Sequence, residues 1–291
     1  MYIRFRYLNI NIFEIPKMNL IKSIFGIIVI IFFSIKYKII KINNLAPNHG
    51  LNKKLIVSFT SKKSRFYFLN LMISSIFLQT VHPDEIILWI DKREKKYLNK
   101  KIIDFKKKGL QIKFCYNLKS YNKIYKLLEN KKFYIITFDD DLIYNKFAIS
   151  KLIKKYKKPN NKYIVSNRIH KITLKNNLPD KYINWNWNSN NTGPSNLNFQ
   201  TGSYGVLYPP NCFYKDVNNK NIFIKLSPSA DDIWLHWMLR MKKKKIIWSQ
   251  FQYKNYILIN FDKNKLHVVN VGKNRNDKQI QNMIKRYGFP M

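Results

Sequence analysis

The chain has 291 residues, enough for one large domain or two small ones with a sizeable core, and at 46% hydrophobic and 15% aromatic it is not a disordered polar chain. The formal charge of +38 points at first towards nucleic acid, but 46 of the 54 basic residues are lysine, whereas a nucleic-acid surface favours the bidentate contacts of arginine. The charge therefore reads as a solvated, lysine-rich surface suited to anionic lipid or an anionic substrate, and no nucleic-acid partner is expected.

Near the N-terminus, "SIFGIIVIIFFSI" (23–35) is uncharged and lies between Lys22 and the pair Lys36 and Lys38. It is shorter than the ~20 apolar residues of a spanning helix, though snorkelling lysines can extend such a core. No A-x-A-like cleavage site follows, so residues 1–45 are expected to be a membrane anchor or a membrane-surface helix. The lysine-rich remainder, 46–291, then lies on the cytoplasmic face of the plasma membrane.

The main body alternates between strand and helix patterns. "LNKKLIVSFT" (51–60) predicts a strand, and a helix follows from Ser64 with Phe66, Leu69, Ile73, Ile76 and Phe77 on one face. "PDEIILWID" (83–91) predicts a second strand, and 94–108 a charged helix closed by Gly109. "LQIKFC" (110–115) is a third strand and 119–130 a helix. "KFYIITF" (132–138) is a fourth strand whose continuous apolar run indicates burial on both faces, and a helix covers about 145–157. This alternation implies an α/β fold with a mostly parallel sheet. Residues 174–201, rich in Asn, Pro and Trp, break the rhythm as an irregular substrate-side loop. Cys115 and Cys212 are the only cysteines and form no CxxC pair, so they are expected as buried apolar thiols.

Two acidic clusters stand out in so basic a chain. Asp139, Asp140 and Asp141 follow the fourth strand, at the carboxyl edge where open α/β sheets bind ligands. Capping of the next helix would use one carboxylate, whereas an Asp-x-Asp pair can hold Mg²⁺ or Mn²⁺ through oxygen ligands with a diphosphate completing the shell. Asp231 and Asp232 open an amphipathic pattern, "ADDIWLHWML", where one can cap the helix or a carboxylate can deprotonate a hydroxyl. Ahead of them, in "GSYGVLYPP", Gly202 and Gly205 permit a close backbone approach. Trp234 and Trp237 share a helical face and fit either a core or a ligand-stacking role, and the Trp and Tyr residues at 182–187 are candidates for stacking on a ligand.

In this order, "IVSFTSKKSRF", "QTVHPDEIILWID", "ITFDDDLIY", "GSYGVLYPP" and "ADDIWLHWM" resemble the motif series of bacterial GT-A-fold glycosyltransferases, similar to the family 2 enzymes of surface-polysaccharide synthesis. The resemblance covers about 53–288. It implies a GT-A (Rossmann-like) fold and an inverting, metal-dependent transfer from a nucleotide-sugar donor to a glycan or glycolipid acceptor. It places Thr60, Arg65, Asp91, Asp139, Asp140, Gly202 and Gly205 around the nucleotide. It assigns Asp139 and Asp141, with His267, to the metal, and Asp232 to the general base beside Asp231. The family's usual Glu is Asp231 here, and no QxxRW motif follows, which argues against a processive synthase. The rival readings are a basic nucleic-acid-binding protein and a nucleotidyltransferase using the same Asp cluster.

Overall fold

The computed structural model describes residues 2–4, 35, 47–129, 132–158, 162–252, 257–260 and 274–290, with 2–4 and 257–260 described by their backbone alone. The N-terminal apolar segment expected at 23–35 lies outside the described residues except for Ile35, and His267 lies outside them altogether. Among the described residues, no helix is long and apolar enough to cross a membrane.

The expected strands form: β1 (Leu55–Thr60), β2 (Glu85–Asp91), β3 (Leu110–Cys115) and β4 (Tyr134–Thr137). They are followed by β5 (Ile164–Ser166), β6 (Val206–Tyr208) and β7 (Ile246–Trp248). All seven join one sheet in the order β7-β5-β6-β4-β1-β2-β3. β1 runs parallel to β2 and β4, β2 to β3, and β5 to β7. β6 alone is antiparallel to both of its neighbours. The sheet is thus mixed, mostly parallel and Rossmann-like.

The continuous apolar run of the fourth strand is explained by burial on both faces, with Tyr134 and Ile136 of β4 in one core and Ile135 in the other. Leu55, Val57 and Phe59 of β1 face one core and Ile56 the other; Leu88 and Ile90 of β2 divide from Ile87 and Trp89 in the same way. Helices α1 (Phe66–Phe77) and α2 (Ala148–Lys157) cover the first face, the latter with Ala148, Ile149, Leu152, Ile153 and Tyr156 at helical spacing. Helices α3 (Asp231–Met241) and α4 (Arg275–Tyr287) cover the second.

Two expected helices take other forms. Residues 92–108 break into a 3₁₀ turn (Lys92–Tyr97), a single α turn (Lys100–Ile103) and another 3₁₀ turn (Asp104–Lys108), closed by Gly109 at φ 99°. Asp91 and Asn99 each accept a hydrogen bond from a backbone N–H ahead of them, and only Ile102 and Phe105 are buried, so no long apolar face sustains one helix. Residues 119–129 form two 3₁₀ turns, Lys119–Lys123 and Tyr125–Glu129. The stretch 174–201 holds a short hairpin (Leu174–Lys175 with Leu178–Pro179) and the strand Asn198–Gln200, antiparallel to Ile169–Lys171.

Candidate active site

β1, β2 and β4 run parallel, so Thr60, Asp91 and the turn beginning at Phe138 lie on one edge of the sheet. Thr60 and Asp91 serve structural contacts there. The Thr60 hydroxyl donates to the Trp89 carbonyl at 2.9 Å. Asp91 is ion-paired with Arg93 at 2.6 Å, and the Arg93 hydrogen bond holds its carboxyl below the usual carboxylate range.

Asp139, Asp140 and Asp141 cap no helix, because α2 starts seven residues beyond and has Phe147 at its N-cap with no side-chain bond. They meet cations instead. Arg65, at the N-cap of α1, binds Asp140 directly and lies 3.6 Å from Asp141. Lys123 Nζ lies 2.9 Å from Asp139 Oδ1 and 3.0 Å from Asp231 Oδ2, the first an aligned hydrogen bond and the second an ion pair without that alignment. The turn itself is fixed by the buried Tyr144, whose hydroxyl accepts from the Asp139 N–H and donates to the Asp139 carbonyl, both at 2.9 Å.

Asp231 and Asp232 occupy the first turn of α3, with Ala230 at the N-cap, so neither is the N-cap residue. Both oxygens of Asp232 accept from the Gly202 N–H at 3.1 Å. Behind it, the Gln200 amide donates to the Asp232 carbonyl at 3.2 Å, and its oxygen lies 3.1 Å from Nδ1 of the buried His236. Gly202 leaves room for the cluster: a Cβ there would stand 2.7 Å from Lys123 Nζ, 3.0 Å from Asp232 Oδ1 and 3.6 Å from Asp139 Oδ1, displacing those side-chain ends. The fold thus brings both acidic clusters, Lys123 and the glycine loop to one point. Gly205 has a different reason, φ +102° with its missing Cβ 2.5 Å from the Phe138 ring.

Five carboxylates face two cations, the buried Lys123 and the half-buried Arg65, and the electrostatics follow. Burial opposes the charge of Lys123, whose side chain is 4% exposed, yet Asp139, Asp231 and Asp232 together raise its pKa well above the usual range. Burial first, and then repulsion from Asp231, push Asp232 up to about 7 against the pull of Lys123. Burial also raises Asp141 to about 7, opposed by Arg65 and aided by Asp139 and Asp140. These are the shifts expected where carboxylates work as bases or ligands.

Trp234 and Trp237 are fully buried, which decides for the core over sugar stacking. Trp185 is buried as well, while Trp187 is half-buried and stacks on His170 with ring centroids 5.2 Å apart. Cys115 and Cys212 are both free and buried.

Among the described residues, no three His, Cys, Asp or Glu side chains converge on a point suited to a metal ion. The donor chemistry nevertheless suits Mg²⁺ or Mn²⁺, which are commonly held by one or two carboxylates together with substrate phosphates. Asp141 is the carboxylate of the turn with no cation closer than the 3.6 Å contact to Arg65, and burial, with Asp139 and Asp140 beside it, raises its proton affinity.

No family model matches the chain, and no curated protein matches it. Solved structures are similar in fold. One is Staphylococcus aureus TarS 1-349 in complex with UDP-GlcNAc, at 12% identity over 73% of this chain and 60% of that one, with a TM-score of 0.47. Another is 4-diphosphocytidyl-2C-methyl-D-erythritolsynthase from Anaerococcus prevotii, at 15% identity over 77% and 99%, with a TM-score of 0.43. A third is the mannosyltransferase PcManGT from Pyrobaculum calidifontis in complex with GDP-Man and Mn²⁺, at 11% identity over 51% and 45%, with a TM-score of 0.33. The chain spans about 60% of the length of the TarS fragment. The likeness lies in the arrangement of strands and helices, and no activity is carried over from it.

Proposed function

We propose that the protein transfers a sugar from a nucleotide-diphospho-sugar to a hydroxyl of a glycan or glycolipid acceptor, with inversion at the anomeric carbon. The observation that carries this reading is the meeting of Asp232, Gly202, Lys123 and Asp139 at the carboxyl edge of a mostly parallel sheet.

In this reading Asp232 takes the proton of the acceptor hydroxyl as its oxygen bonds to the anomeric carbon, while the nucleotide diphosphate leaves from the opposite face. Its proton affinity, pushed up to about 7, suits a base working near neutral pH. Asp231, ion-paired with Lys123, holds the position of that ammonium. Arg65 and Lys123 bring fixed positive charge to the edge where the leaving diphosphate develops negative charge. Asp139 and Asp141 would hold Mg²⁺ or Mn²⁺, which when bound supplies Lewis-acid stabilisation of the diphosphate. Thr60, Asp91 and Asp140 shape the nucleotide side of the edge, and residues 19–38 keep the enzyme on the cytoplasmic face of the plasma membrane.

The test is to incubate the purified full chain and Mn²⁺ with a panel of sugar nucleotides and candidate glycan acceptors, and to identify the released product. Release of a nucleoside diphosphate supports the proposal. Pyrophosphate release from nucleoside triphosphates instead makes the protein a nucleotidyltransferase.

A further inference from the structure

The sheet is polarised in charge. Its carboxyl edge gathers six aspartates, Asp91, Asp139, Asp140, Asp141, Asp231 and Asp232, whereas lysines stand at the starts of several strands on the opposite edge, where Asp84 and Glu85 are paired with His49 and Lys54. There Lys53 precedes β1, Lys162 precedes β5 and Lys244 precedes β7, three strands that run in the same direction and so begin on the same side. The three side chains line one cavity of about 200 Å³. The buried Tyr134 and Tyr156 and the buried Cys212 also line it. The Tyr134 hydroxyl donates to Asn52 Oδ1 at 2.9 Å, and its ring packs edge to face on Tyr156 with centroids 5.6 Å apart. None of the three lysines has an acidic partner among the described residues, and no carboxylate lines the cavity.

From this arrangement we infer a second binding site, specific for a phosphoryl group, on the edge of the sheet opposite the candidate active site. The exposed Lys53 and Lys162 and the half-buried Lys244 bring positive charge to one hollow, where an oxyanion accepts charge-assisted hydrogen bonds. The volume exceeds the roughly 30 Å³ share of one water several-fold, so a phosphate and part of its ester enter together. Lysine serves here as a point charge and needs no planar fork, which suits a tetrahedral oxyanion approached from several strands. The same chemistry is offered by a soluble phosphate ester and by a phospholipid headgroup. The inference does not depend on the sugar-transfer reading, because no residue of one site belongs to the other.

The experiment compares the full chain with two triple variants of equal charge. One replaces the cavity lysines, Lys53→Gln, Lys162→Gln and Lys244→Gln. The other replaces the exposed Lys106, Lys107 and Lys220 with Gln. Each is titrated calorimetrically with glycerol 3-phosphate and sedimented with phosphatidylcholine vesicles with and without phosphatidylglycerol. The expected result is a loss of about tenfold or more in binding for the cavity variant alone. Loss in the calorimetric arm identifies a soluble ester as a ligand, and loss of the phosphatidylglycerol-dependent fraction identifies a headgroup. The inference is overturned if both variants lose binding equally, which reveals only diffuse surface charge, or if neither ligand binds the unmodified chain.

Discussion

Lys123 Nζ lies 2.9 Å from Asp139 Oδ1 and also touches Asp231, so one buried ammonium ties the turn after β4 to the start of α3. The two acidic clusters are 90 residues apart in sequence, and without a cation between them they would repel. Lys123→Met leaves Asp139 and Asp231 facing each other with no compensating charge. The expected cost is about 3–5 kcal/mol, the usual penalty for breaking a buried ion pair by removing one partner. Lys123→Arg restores the charge and recovers part of it. Urea midpoints of the three proteins check this, and equal midpoints for wild type and Lys123→Met would contradict it.

The two glycines of the loop separate by their reasons. Gly205→Ala meets a left-handed φ of +102° and the fully buried Phe138 ring, neither of which yields easily. It should lose roughly 1–3 kcal/mol of stability. At Gly202 the obstructing atoms are the ends of the Lys123 and Asp232 side chains, which can move. Gly202→Ala should therefore cost only about 1 kcal/mol in thermal unfolding while lowering turnover far more than Gly205→Ala does. The reverse ranking in either measurement overturns the assignment.

The raised affinity of Asp232 for protons sets a sign for pH dependence. The ordinary carboxyl value is 3.8 and the folded value about 7, so between these the folded chain binds this proton more tightly than the unfolded chain does. The contribution of Asp232 to stability is fully present below about 3.8 and is lost as pH rises through about 7. Asp232→Asn should remove that slope from a stability profile measured between pH 4 and 8. Turnover of the wild type should run the other way and rise to a plateau above about 7, because the base must be ionised. The inflection belongs to the coupled carboxylates as a group. A turnover that falls across the same range would exclude Asp232 as base.

Much of this arrangement was legible in the sequence. The alternation of apolar runs located β1 to β4, since strands buried on both faces leave an unmistakable pattern. The acids at 139–141 and 231–232 were conspicuous because carboxylates are scarce in this chain. Lys123 was not legible: as one lysine among 46, it is distinguished only by an inward turn that depends on contacts distant in sequence. The same holds for Tyr144, Gln200 and His236, whose roles lie in backbone contacts without a sequence signature. Helical spacing placed Trp234 and Trp237 on one face, but whether that face met core or ligand was decided by the packing of α3 against α4. The broken helix at 92–108 was missed because side chains compete locally for backbone donors that composition alone assigns to a helix.

The N-terminal segment yields a separate expectation. The strand Tyr2–Arg4 pairs with Ile257–Asn260, which in turn pairs with Leu142–Ile143, outside the seven-stranded sheet. Deleting residues 1–45 removes the outer strand Tyr2–Arg4 and none of the described residues of the two cores. The shortened chain should remain folded, with its far-UV circular dichroism and cooperative unfolding retained, and should lose sedimentation with neutral phosphatidylcholine vesicles. Loss of cooperative unfolding would place the segment within the core.

The most direct measurement of the central claim is the turnover of Asp232→Asn set beside its affinity for the donor that the wild type uses. The amide keeps the size of the carboxylate and cannot take a proton from a hydroxyl. The account predicts donor affinity within a few-fold of wild type and a fall in kcat of roughly 10²–10⁴. Asp231→Asn, altering a residue that only orients Lys123, should fall less. Near-wild-type turnover of Asp232→Asn would contradict the account.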